Sequence, residues 1–466
     1  MSVEKNLFFC YYMFGRNKLI LMNKGSGLIM KDTNEVVKKQ KMRKRKKKNI
    51  KMFPFYRMVS WDLLFYYPIL FLFLTQIKGL TASQVLFADA FCTLSNTFWQ
   101  IPVSTMVEKL GKKSSLVIGN ILYALSILAM IFMTNFYQLL AIQCVYALGY
   151  AMKAMCETNM LYDSLPPYPK RGNLFSKIEA KAYSNFFYFD GVASIIAGFT
   201  YAINGYIPMV LCFIACFISV ILSLKFKDTR VKEEKIKSTS YKEYFSQLKD
   251  SMQFFKKSGR IKSLLLFHAI FSGMIFGIVN LRSSMLTEMN VPAQYFGIIF
   301  AILQIAAGIT SRYQDKIQKI LKNRTLTVLG IPVALSCIAI GFVGKETLSN
   351  SSLILVILLY LIQYIAKGPY FGLMSRYLNN FTNSKIRPKI AALKNLSATL
   401  MNTIISASCA VLLEVTTSAN TFIVVGCLST VFIVLILDSM RAKVGIKPEH
   451  LTKEDVKYST NKPKIK

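Results

Sequence analysis

The chain has 466 residues. Of these 53% are hydrophobic and only 17% are charged, yet 58 Lys and Arg face 23 Asp and Glu, a net charge of +35. With a mean hydropathy of +0.39 and a charged fraction below the roughly 25% of soluble domains, this excludes an ordinary soluble globule, and equally a soluble nucleic-acid binder with Lys and Arg spread over its surface.

The first 53 residues hold 15 of the basic side chains. Leu7–Phe14 is apolar but too short to span a bilayer, and Arg16 and Lys18 interrupt it. It reads poorly as a cleavable signal, because only Lys5 precedes it as a basic residue and no clear small-residue cleavage site follows. The stretch from Lys38 to Lys51 includes the run Met42-Arg43-Lys44-Arg45-Lys46-Lys47-Lys48. One reading is contact with anionic lipid or RNA. The plainer one is a tail that only fixes orientation. Residues 1–53 are therefore expected as a basic, disordered cytoplasmic tail, with anionic lipid as its possible partner and no nucleic acid.

Twelve apolar runs follow, over 56–77, 81–104, 114–134, 137–160, 184–204, 207–225, 263–286, 292–311, 325–344, 351–373, 395–415 and 420–438. A run of about 20 residues crosses roughly 30 Å of hydrocarbon as a helix. In lipid each backbone N–H and C=O must be satisfied within the segment, which selects helix. A membrane β-barrel would alternate apolar and polar residues over segments of about 10. Here continuous stretches such as Leu353-Ile354-Leu355-Val356-Ile357-Leu358-Leu359 dominate. The expected fold is an all-α membrane protein of twelve transmembrane helices in two six-helix bundles.

The basic residues test that count. Placing both termini and every second loop on the cytoplasmic side puts 53 of the 58 Lys and Arg there, as the positive-inside rule requires. The long loop 225–262, with 12 basic and 5 acidic residues, divides the helices six and six, the layout of a two-bundle transporter. The expected units are the tail 1–53, a bundle over 54–225, a linker over 226–262, a second bundle over 263–440 and a tail over 441–466.

Ionisable groups inside hydrocarbon cost roughly 2.5–3.5 kcal/mol at mid-helix, so each is a functional candidate. Asp89 and Asp190 lie well inside the second and fifth spans. There they could bind a proton or a cationic substrate, or form buried structural pairs. Asp62 is shallower, beside Trp61 and near Arg57. Lys153 and Glu157 stand four apart on one helix and are expected to pair. Arg282 and Lys367 complete the set. Asp62, Asp89, Asp190, Glu157, Arg282 and Lys367 are thus the candidates for substrate binding or proton coupling. His268 is the only His in a span; it could relay protons, but a lone His is more often a structural hydrogen-bonder. Gly273-xxx-Gly277 and Gly368-Pro369-xx-Gly372 mark close approach or bending of helices.

Nine cysteines occur, with no Cys-x-x-Cys pair. No disulfide framework, metal site or cofactor is expected. Nor is there a Gly-x-x-x-x-Gly-Lys-Ser/Thr phosphate loop, and no nucleophile or acid–base signature points to an enzyme.

After the second span the sequence reads Ser104-Thr105-Met106-Val107-Glu108-Lys109-Leu110-Gly111-Lys112-Lys113. This resembles the loop signature of the major facilitator superfamily, Gly-xxx-Asp-basic-x-Gly-basic-basic, with Ser104 and Glu108 as departures. A weaker echo, Ser311-Arg312-Tyr313-Gln314-Asp315-Lys316-Ile317-Gln318-Lys319, stands after the eighth span. The same loop at the same place in each half supports an internal repeat. The run Glu157-Thr158-Asn159-Met160-Leu161-Tyr162-Asp163-Ser164-Leu165 is similar to one in bacterial members of unassigned substrate. The drug-efflux signature, a Gly-Pro in the fifth helix, is missing from Asp190–Gly198. The resemblance implies a conformational latch at Glu108, Lys109, Gly111, Lys112, Lys113 and Asp315. It implies a secondary active transporter, expected as a monomer in a bacterial plasma membrane, moving a small molecule by alternating access, with ion or proton coupling. The alternative is a membrane sensor or lipid-handling protein built on the same fold.

Overall fold

A computed structural model describes residues 18–22, 28–166, 171–227, 259–321, 324–345, 350–380 and 387–443. The apolar stretch Leu7–Phe14, most of the linker and the end of the C-terminal tail lie outside the described residues. Strands β1 (Lys18–Met22) and β2 (Leu28–Asp32) pair antiparallel, with Lys18 opposite Asp32. All else is helical or connecting.

Helix α1 (Thr33–Ser60) corrects the expectation of a disordered tail over its own residues. Lys, Arg, Met and Gln are good helix formers, so the basic run suits a helix once its end is anchored. Asn49 and Phe53, each 2% exposed, provide the anchor. The Asn49 amide donates to the Lys227 carbonyl at 2.8 Å and its oxygen accepts from the Lys227 N–H at 2.9 Å.

The first span, expected as one helix over 56–77, is broken. The chain is irregular from Trp61 to Ile69, then forms α2 (Leu70–Leu72), which continues as a π-helix over Phe73–Ile77. Pro68 has no N–H to give a helix and pushes the residue before it out of helical geometry. Phe65 adopts a φ of 62°, a strained value for a bulky residue. The Asp62 carboxylate takes up part of the loosened backbone and side chains, accepting from the Leu63 N–H at 2.9 Å and the Tyr67 hydroxyl at 2.8 Å.

Six long helices of the first half are completed by α3 (Ala82–Leu110), α4 (Lys112–Phe132), α5 (Phe136–Ser164), α6 (Arg171–Ile203) and α7 (Ile207–Lys225). Thr81 caps α3 in a reciprocal box with Gln84. Gly111 sits between α3 and α4 at a φ of 90°, a conformation open to glycine and strained for other residues.

The second half repeats the pattern with α8 (Gly259–Phe276), α9 (Val279–Glu288), α10 (Ala293–Arg312), the short α11 (Gln314–Leu321), α12 (Thr325–Val343), α13 (Asn350–Asn380), α14 (Arg387–Val415) and α15 (Ser418–Lys443). Its first span is also interrupted, at Gly277-Ile278. The opening span of each half thus breaks inside the bundle, which agrees with the internal repeat read from the loops. Among the described residues, ten helical segments are long and apolar enough to cross a membrane. The remaining two expected spans are the broken α1–α2 region and α3, a continuous helix too polar to count on composition. The protein is an all-α, multi-pass membrane protein.

The halves meet along two seams, α3 against α14 and α6 against α10, and α2 touches α9. Buried apolar side chains from both halves join in one large cluster, and two smaller clusters lie within the first half. Outward faces stay apolar: on α15, Val424, Leu428, Val431 and Leu435 are all exposed, as suits contact with hydrocarbon. At the α6–α10 seam a Cβ on Gly297 would overlap the Ser194 carbonyl oxygen, and one on Gly198 would lie 2.8 Å from the Gln294 oxygen. Gly297→Val is therefore expected to cost about 1–3 kcal/mol through overpacking. An unchanged thermal midpoint of the detergent-purified variant would show that the helices do not touch there.

Candidate functional site

Between the halves lies a polar cavity of about 340 Å³. Its floor is the break in the first span. Asp62, Tyr66 and Tyr67 enter from that irregular segment. Helix α3 supplies Asp89, Thr93 and Asn96; α5 supplies Gln143, Tyr146 and Tyr150; the second half supplies Phe276, Asn280, Thr399 and Asn402. The lining mixes tyrosine rings with carboxylates, amides and hydroxyls, the usual mix for holding a small polar solute.

A second cavity of about 560 Å³ shares Asn96, Tyr150, Phe276, Thr399 and Asn402 with the first. It runs along Gln100, Met155, His268 and Lys394 toward the end of the molecule that carries Gly111 and the basic loops. Lys394 on α14 is twelve residues from Ser406, which bonds to Asp89; at 1.5 Å per residue these levels are about 18 Å apart. A small solute cannot touch both.

Toward the opposite end the halves are bonded across the α3–α14 seam. Ser406 lies 3.0 Å from the Leu86 carbonyl and 3.3 Å from the Asp89 carboxylate. Ser83 donates to Glu414 at 3.0 Å. Asp190, on α6, does not line the cavity. It is buried at the other seam, where Gln304 of α10 donates to it at 3.4 Å. Asp89 and Asp190 are therefore each hydrogen-bonded to a side chain of the second half.

The expected Lys153–Glu157 pair does not form. Glu157 accepts instead from the Arg57 guanidinium, from Tyr56 at 2.6 Å and from Ser60 at 3.2 Å. All four side chains are buried. The reason is reach: α1 brings three donors against α5, while the Lys153 ammonium turns over the Tyr123 ring at 4.4 Å and makes no hydrogen bond.

Arg282 is 2% exposed. From α9 its guanidinium donates to the Ile275 carbonyl at 2.9 Å and to Gln363 at 2.9 Å. It thus satisfies a carbonyl left open where α8 ends and braces the break. Lys367 stands 4.7 Å from the Tyr364 ring and 5.5 Å from Phe276, and Arg282 also approaches the Tyr364 ring, at 5.4 Å. Neither cation lines the cavity. His268 does; it is hydrogen-bonded to Tyr370 at 3.2 Å.

Of the latch candidates, Lys112 pairs with Asp163 at the end of α5. Lys109 is exposed and Lys113 half-buried. The side chains of Glu108 and Asp315 lie outside the described residues. Sequence reasoning missed the amides Asn96, Gln143, Asn280 and Asn402 as cavity walls. Their signal was present: each is a polar group inside an apolar run, where it needs a reason to be. Among the described residues the Asn96 and Asn402 carbonyl oxygens are buried without a hydrogen-bond partner, leaving two acceptors for a bound solute.

The sequence profile of the Major Facilitator Superfamily matches residues 53–359. Among solved structures the fold is similar to a mutant of the nucleoside transporter NupG, with a TM-score of 0.66 and 12% identity over 87% of this chain and 100% of that one. It is also similar to a POT family transporter in complex with 5-aminolevulinic acid, TM-score 0.62 and 14% identity over 86% and 96%. A D-xylose-proton symporter gives 0.62 and 12% over 88% and 99%. Such identities speak for the fold alone. No curated protein matches.

Proposed function

The chain belongs to the Major Facilitator Superfamily, and from that premise we propose that it is a secondary active transporter of a small polar solute in a bacterial plasma membrane. The observation that carries the reading is the polar cavity walled by both halves, extended toward one end and bridged by seam contacts toward the other. A sensor or lipid-handling protein would not need a wide polar cavity shared by two bundles. The distribution of the basic residues supports a cytoplasmic open end, with both termini on that side of twelve spans.

The solute sits against Asp62, Asp89 and the cavity tyrosines, and its N–H or O–H groups meet the open acceptors on Asn96 and Asn402. Asp89 and Asp190 couple the movement to protons. Each joins the two bundles through one hydrogen bond, so gaining or losing a proton changes what holds the seam. A solute-panel counterflow assay in proteoliposomes tests the transport reading. Solutes that bind but never cross would sink it.

The proposed latch includes Asp163 beside Lys112, Lys109 and Gly111. This pair is partly exposed, so it adds only about 0–1 kcal/mol to stability; its effect falls on conformational balance. Lys112→Glu is expected to change the transport rate while leaving the unfolding midpoint nearly unmoved, and Asp163→Lys in the same chain to restore the rate. No rescue in the double variant would remove the pair from the latch.

A further inference from the structure

The seam between α6 and α10 is not uniform along its length. Toward one end the backbones meet at Gly198 and Gly297, and midway Gln304 holds Asp190. Toward the basic end the helices part and leave a cleft of about 540 Å³. None of its lining residues is shared with the central cavity.

Two kinds of wall bound it. Tyr188, Ile305 and Ile309 are 66%, 45% and 54% exposed. Each continues an exposed apolar stripe, through Val192, Ile195 and Phe199 on α6 and through Ile302 on α10. Stripes of this spacing on membrane helices face hydrocarbon, so the cleft opens sideways to the bilayer. The other wall is polar, with Lys181, Arg312, Asn185 and Ser311, and no carboxylate lines it among the described residues. The apolar runs of the sequence begin at residue 184 on α6 and end at residue 311 on α10. Lys181 lies three residues before that start, about 5 Å beyond it along the helix. Both cations therefore stand at headgroup depth.

We propose that an anionic phospholipid of the leaflet at the basic end occupies this cleft, its phosphate held by Lys181 and Arg312 and an acyl chain lying along Tyr188, Ile305 and Ile309. Arg and Lys bind phosphate through strong charge-assisted hydrogen bonds, and anionic lipid is concentrated in the cytoplasmic leaflet. The bound lipid acts as a wedge. It favours the arrangement in which the central cavity extends toward this end, and closing the seam must expel it. Binding can be measured without any flux, so the inference stands or falls apart from the transport reading.

The test titrates the full chain, purified in a neutral detergent, with phosphatidylglycerol, phosphatidylcholine or glycerol 3-phosphate and follows thermal unfolding. Phosphatidylglycerol is expected to raise the midpoint, and the other two are not. Lys181→Gln with Arg312→Gln should weaken that response by roughly 10- to 30-fold in lipid concentration. The exchange Lys181→Arg with Arg312→Lys should retain it. Lys316→Gln with Lys319→Gln, both exposed on α11, should leave it unchanged. An equal loss from the Lys316 and Lys319 substitutions would reduce the effect to diffuse surface charge and overturn the site. So would protection by glycerol 3-phosphate alone, or no response to phosphatidylglycerol.

Discussion

Asp89→Asn is expected to lower proton-gradient-driven uptake in proteoliposomes by roughly tenfold or more, with downhill counterflow kept, because an amide of the same shape cannot carry a proton. The side chain lines the cavity and is bonded across the seam by Ser406 alone among described side chains. An Asn can still accept that hydrogen bond, so folding and solute entry should survive. Asp190→Asn should act in the same direction through the other seam. Full gradient-driven flux in both variants would remove both carboxylates from coupling.

The second large effect is on stability. Arg57→Ala leaves Glu157 buried with two hydroxyl donors and no hydrogen-bonded cation, since Lys153 turns away to Tyr123. Stranding one member of a buried ion pair costs about 3–5 kcal/mol. Replacing both members with apolar side chains of similar volume is commonly near neutral. Arg57→Met with Glu157→Met is therefore expected to unfold at a higher temperature than Arg57→Ala alone. If the double variant is the less stable, the network contributes more than the pair.

The long helices were legible because hydrocarbon enforces long uninterrupted apolar runs. The breaks were not. Proline by itself is a poor guide here: Pro54, Pro102, Pro332 and Pro369 all lie inside helices. Pro68 interrupts because Asp62 and Tyr67 are placed to bond with each other across the gap and neighbouring packing holds Phe65 in a strained conformation. Those are tertiary facts. Charges were equally visible, but their partners were not. Spacing of four on one helix suggested Lys153 with Glu157, whereas the true partner of Glu157 is 100 positions away. Lys112 likewise pairs with Asp163 of a different motif. Short-range rules describe an isolated helix surface, and inside a bundle the neighbouring helix decides.

The glycine crossing of α6 and α10 has a mechanical consequence. Its contact lies near one end of both helices, so the remainder of each acts as a lever arm. From Gly198 to Lys181 the arm is about 25 Å. A tilt of about 10° about that fulcrum moves its far end about 4 Å, enough to change whether two side chains can bridge the gap. Motion at the basic end can thus be large while the pivot, with no room for a single added methyl, hardly moves.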